Sequence, residues 1–146
     1  MSYIFERKIN YYETDKMGVV HHSNYVRFFE EARCSWLEAI NMPFSELEKI
    51  GVTIPVLAVK CKYIKHVTFG DTIQIKLYLK EYTSVRMTVE YEVIDKNTGE
   101  IVTIAETKHC FTNNDLKPVS LKRINPEYNN KFAEILMDKE EKGMKV

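Results

Sequence analysis

Residues Tyr12 to Ile40 read Y-E-T-D-K-M-G-V-V-H-H-S-N-Y-V-R-F-F-E-E-A-R-C-S-W-L-E-A-I. The second part is periodic. Val26, Phe29, Trp36 and Ile40 recur at spacings of three, four and seven, flanked by Tyr25, Phe28, Ala32, Leu37 and Ala39. Arg27, Glu30, Glu31 and Glu38 fall mostly between them, so the pattern predicts an amphipathic helix over Asn24–Ile40. Such a helix is about 25 Å long at the usual rise per residue. Ser23 or Asn24 suits its N-cap, because a short polar side chain there can accept from a backbone N–H further on. The first part, Tyr12 to His22, is a loop with one carboxylate, Asp15, and a glycine, Gly18, that lets the chain bend.

The remainder is rich in strand patterns. Tyr3, Phe5 and Ile9 alternate with Glu6 and Lys8 in a first strand over Ser2–Asn10. Between Ile54 and Val67, residues Leu57, Val59, Cys61 and Tyr63 share one face, with Lys60 and Lys62 on the other. Thr72–Lys80 alternates most cleanly: Ile73, Ile75, Leu77 and Leu79 face one way, Gln74, Lys76, Tyr78 and Lys80 the other. Val85, Met87, Val89, Tyr91 and Val93 then alternate with Arg86, Thr88, Glu90 and Glu92. Lys96–Gly99 is a hairpin loop, and Ile101–Thr112 is the last strand. Phe44–Ile50 fits a short helical turn. Pro126 opens a final helix to about Lys142, ending at Gly143, with an apolar stripe of Tyr128, Phe132, Ile135 and Leu136. Three successive strands on short turns form an antiparallel meander. A sheet with one apolar face needs a cover, and the long helix supplies it. The expected class is α+β, in a single domain over residues 1–146.

The first N–H groups of a helix lack intrahelical acceptors, and the helix dipole favours negative charge beside them. A carboxylate seven residues before His22 can face that end, which pairs an anion or nucleophile with donors for a developing oxyanion. An aspartate in a Thr-Asp loop also fits a plain turn residue.

The pattern Tyr12-x-Thr14-Asp15-x-x-Gly18-x-Val20-x-His22-x-x-Tyr25-x-x-Phe28-x-Glu30-x-x-Arg33 resembles the signature of the 4-hydroxybenzoyl-CoA thioesterase family, acyl-CoA thioesterases of the hotdog fold. The resemblance implies a five-stranded antiparallel sheet wrapped around one long helix, plus a C-terminal helix. It implies Asp15 as the catalytic residue, as nucleophile or general base, with no metal or cofactor. It also implies a homo-oligomer, dimer or tetramer, with active sites between subunits. His21 departs from the pattern, since relatives often carry an aromatic such as Tyr there.

The expected reaction is hydrolysis of an acyl-CoA or acyl carrier protein thioester to a carboxylate and a free thiol. Backbone N–H groups near His22 are the expected oxyanion donors, and its imidazole suits acid–base work near neutral pH. Gly18, Tyr25, Lys60, Lys62 and Arg86 are the expected substrate contacts, the basic residues for the phosphates of CoA. The competing readings are a non-catalytic acyl-thioester-binding module and an acyl carrier protein thioesterase. His21-His22 makes a poor metal pair, because adjacent residues seldom point at one ion. His66 and His109, on strands, read as structural or surface residues.

Composition narrows the class. The chain has 146 residues, with 21 basic and 21 acidic side chains and no net charge. Bulk electrostatics therefore offers nothing to nucleic acid. Hydrophobic content of 45% and charged content of 29% fit a globular protein, and no apolar run is long enough for a membrane span. The N-terminus lacks the pattern of a signal peptide. Cys34, Cys61 and Cys110 show no paired spacing and read as reduced, mostly buried thiols. The cytoplasm is the expected location.

Overall fold

The computed structural model describes residues 2–141. Five strands form one antiparallel sheet: β1 (Tyr3–Lys8), β2 (Val56–Tyr63), β3 (Thr72–Tyr82), β4 (Arg86–Asp95) and β5 (Ile101–Cys110). Their order is β1-β3-β4-β5-β2. The hairpins β3–β4 and β4–β5 are the expected meander, with Ile75 opposite Val93 and Tyr91 opposite Ala105. Helix α1 (Asn24–Ala39) lies across the sheet and α2 (Phe44–Lys49) follows it. This is the hotdog arrangement. A short helix, α3 (Leu121–Ile124), precedes the last helix, α4 (Pro126–Glu141). The sequence-predicted end at Lys142 and Gly143 lies outside the described residues.

The core forms where two apolar periods meet. From α1 come Tyr25, Phe28, Phe29, Ala32, Trp36 and Leu37; from the sheet come Ile73, Ile75, Leu77, Met87, Val89, Tyr91 and Val93. Phe29 stacks on Tyr91 with ring centroids 4.5 Å apart. Burying one such side chain is worth about 1.5–3 kcal/mol. Val26 is 41% exposed while Phe28 is fully covered, so the buried stripe is centred one residue to the side of the one read from spacing. Ser23 precedes α1, but no side chain caps the helix. The Ser23 hydroxyl bonds to His21 Nδ1 at 2.8 Å, and Asn24 Nδ2 donates to the Glu13 carbonyl at 2.8 Å. Both expected caps are thus engaged by the preceding loop. Phe132 of α4 is fully buried against Trp36 and Tyr82, closing one end of the layer.

A polar chain runs through this core. Arg33 Nη1 donates to the Tyr91 hydroxyl at 3.0 Å, Tyr91 meets Thr107 Oγ1 at 2.7 Å, and Thr107 meets His109 Nε2 at 2.7 Å. Because arginine only donates, the hydroxyls must pass their hydrogens onward, and Nε2 accepts. The His109 ring, 1% exposed, therefore carries its proton on Nδ1. The backbone of Ile54 and Pro55 lies beside it, but Nδ1 has no hydrogen-bond partner of good geometry among the described residues. Burial, and then the Arg33 charge, push the imidazole down to about 4.

The outer face of the sheet carries mixed charge. Lys80 Nζ lies 3.0 Å from Glu90 and 3.4 Å from Glu106. Tyr78, expected to be an exposed apolar group there, is 9% exposed because its neighbours close over it, Glu92 bonding its hydroxyl. Strand β2 is different. It pairs only with β5, and Val56, Leu57, Val59 and Tyr63 are all exposed.

Candidate active site

The segment before α1 folds as a small hairpin tied on three sides. Thr14 bridges Val20, Asp15 N donates to the Val19 carbonyl, and His21 N to that of Glu13, both at 2.9 Å. Gly18 makes the turn at φ +80°, a left-handed conformation that suits glycine. Glu13 is 6% exposed. Its carboxylate accepts from Arg7 at 2.9 Å and from the Asn10 N–H at 2.8 Å, while the Arg7 guanidinium covers the Phe28 ring at 4.2 Å. On the third side, Val20 N donates to the Val67 carbonyl at 2.9 Å.

Asp15 sits half-buried at the tip of this hairpin. Its Oδ1 accepts from Met17 N at 2.8 Å, which is the plain turn role. Its Oδ2 makes no hydrogen bond among the described residues. His22 lies three residues beyond Val19, the residue opposite Asp15, or roughly 10 Å along the arm. The His22 carbonyl accepts from Tyr25 N at 3.3 Å and from the Tyr63 hydroxyl at 3.2 Å. The His22 N–H has no acceptor among the described residues. The rings of His21 and His22 stack at 4.2 Å, and Tyr63 meets His22 edge-on at 6.2 Å and Tyr25 at 5.4 Å. Burial raises the Tyr25 phenol above its ordinary range, and burial also raises the Cys61 thiol beside it.

The structure therefore brings Asp15, Gly18, His22 and Tyr25 into one loop and helix start. It leaves the basic residues elsewhere within the chain. Lys60 and Lys62 face the other side of β2, lining an open groove of about 540 Å³ with Glu90, Ile104 and Glu106. Arg86 lies at the opposite end of the sheet, paired with Cys110. Tyr63 is the residue that sequence reasoning passed over. It stands 41 positions from His22, and no spacing links the two; only the fold of β2 does. Among the described residues no cluster of His, Cys, Asp and Glu is placed to hold a metal ion, and no helix is long and apolar enough to cross a membrane.

Comparison with known proteins bears on this arrangement. Residues 9–135 match the family model of the thioesterase-like superfamily. A putative esterase of Aquifex aeolicus is 37% identical over 78% of this chain and 88% of its own. A putative acyl-CoA thioesterase of Bacillus subtilis, YneP, is 27% identical over 87% and 92%. Among solved structures, a DHNA-CoA thioesterase from Staphylococcus aureus superposes with a TM-score of 0.91 at 27% identity, over 99% of this chain and 97% of that one. With its fold, its helix-start loop and these relatives together, the chain belongs to the thioesterase-like superfamily of thioester hydrolases.

Proposed function

We propose that this protein hydrolyses acyl-CoA, with Asp15 as the catalytic carboxylate and the N–H groups around His22 as oxyanion donors. The observation that carries the reading is the pairing, on one braced hairpin, of an Asp15 oxygen with no other partner and a helix-start N–H with no acceptor. An acyl carbonyl fits between them. Two routes balance. Asp15 can attack the acyl carbon, expelling the CoA thiolate and leaving a mixed anhydride that water cleaves. Alternatively it takes a proton from a water that attacks directly. In both, charge builds on the carbonyl oxygen, where one backbone donor is worth about 3 kcal/mol. The reading extends the 4-hydroxybenzoyl-CoA thioesterase likeness of the loop motif and sets the enzyme in the cytoplasm.

The site is completed in a homo-oligomer, in this reading. Exposed β2 is the natural seam. Two-fold pairing of β2 with its copy runs the strands antiparallel, so the Val56 end of one chain meets the Tyr63 end of the other. That carries Arg86 towards the other chain's loop and sets Lys60 and Lys62 on the seam, where they take the phosphates of CoA. The deciding experiment is thiol release from a panel of aliphatic and aromatic acyl-CoAs and the corresponding acyl carrier protein thioesters. Turnover of CoA esters is the expected result. Turnover of carrier-protein esters alone would move the substrate, and binding without turnover would favour the non-catalytic module.

A further inference from the structure

A second cavity, of about 220 Å³, opens under α1 at the end of the sheet away from Asp15. Its walls are apolar, with Trp36 and Leu37 from α1, Phe44 from the start of α2, Val56 from β2 and Met87 from β4. Two charged residues line it, Arg33 and Glu30. Arg33 is 8% exposed. Of its five N–H donors, one bonds Tyr91, and no carboxylate lies within 4.0 Å of it among the described residues. A buried cation without a counter-ion is costly. Glu30 stands one turn away on the same helix and lines the same cavity, yet makes no ion pair with it.

We propose that this cavity binds a small monocarboxylate with an apolar body, its carboxylate on the Arg33 guanidinium. The guanidinium presents paired N–H groups that match a carboxylate. One cation with Glu30 nearby favours a single negative charge over a dianion such as phosphate. The apolar walls call for a hydrocarbon body, and the volume holds about seven groups of the size of water. Benzoate and the medium-length straight-chain acids fit that description. The site is separate from the Asp15 hairpin, and binding there needs no turnover.

Trp36 is the only tryptophan, so its fluorescence reports on the cavity wall. Titration of the full chain with benzoate is expected to give a saturable change. Benzamide, of the same shape without the charge, should bind at least tenfold more weakly. Arg33→Gln, which keeps a donor for Tyr91, should weaken benzoate at least tenfold, and Glu30→Gln should tighten it several-fold. Equal binding of benzoate and benzamide overturns the proposal on the wild-type protein, whether or not the Arg33 variant folds. So does the absence of any saturable change at tens of millimolar benzoate, or inorganic phosphate binding as tightly as benzoate.

Discussion

The side-chain amide of Asn24 donates to the main-chain carbonyl of Glu13 at 2.8 Å, so the first residue of α1 and the hairpin arm leading to Asp15 share one buried hydrogen bond. Asn24→Ala removes it, while the Glu13 carbonyl keeps its bond from His21 N. The stability cost should be about 1 kcal/mol. The kcat for thioester hydrolysis should fall more than KM changes, because the relative placement of Asp15 and His22 loosens. Urea unfolding and steady-state kinetics on the same preparation separate the two effects; an unchanged kcat would show that the hairpin holds its geometry without this tie.

Asp15→Asn keeps the oxygen that accepts from Met17 N and should fold as the wild type does. It cannot act as nucleophile or base, so kcat should drop by at least about 10²-fold. A variant that keeps more than about a tenth of wild-type kcat would remove Asp15 from the chemistry.

The buried His109 makes stability depend on pH. Its folded value, about 4, lies below the ordinary 6.5, so between these limits the unfolded chain binds more protons. Stability is unaffected above pH 6.5 and falls as pH drops towards 4, by about 3 kcal/mol at most. His109→Gln should flatten that part of the profile. Urea midpoints at several pH values across the window check it, and an equal slope in both proteins would mean that other groups carry the acid sensitivity.

Charging the exposed edge should separate the subunits. Leu57 and Val59, 53% and 43% exposed on β2, changed together to Lys, repel a second copy. Light scattering should move from a multiple of 17.2 kDa to the monomer, and activity should fall with it. A wild-type protein that is monomeric and fully active would discard both the assembly and the shared site.

The strands of the meander were legible because each alternates in sequence and its neighbours are local. β3 and β4 bury the residues that their parity selects. The loop was legible only through its motif, since spacing cannot distinguish an aspartate that turns a hairpin from one that also attacks a thioester, and Asp15 is placed for both. The Arg33–Tyr91–Thr107–His109 chain was not legible. Its members span α1, β4 and β5, and each reads alone as an ordinary surface or strand residue. Tyr78 was misread for a related reason: alternation assigns a face, but not how far Glu92 on the next strand closes over it. Helix α3 was missed because its four residues are too few to show a period.

Strand β2 is bonded along one side only, and this has a signature in hydrogen exchange. Amides that point to β5 are held by the ladder and should exchange only when the strand opens. Those between them point to solvent in an isolated chain and should exchange orders of magnitude faster. The eight residues of β2 should thus show an alternating pattern of slow and fast amides. As the protein concentration rises and a second chain docks on the edge, the fast set alone should become protected.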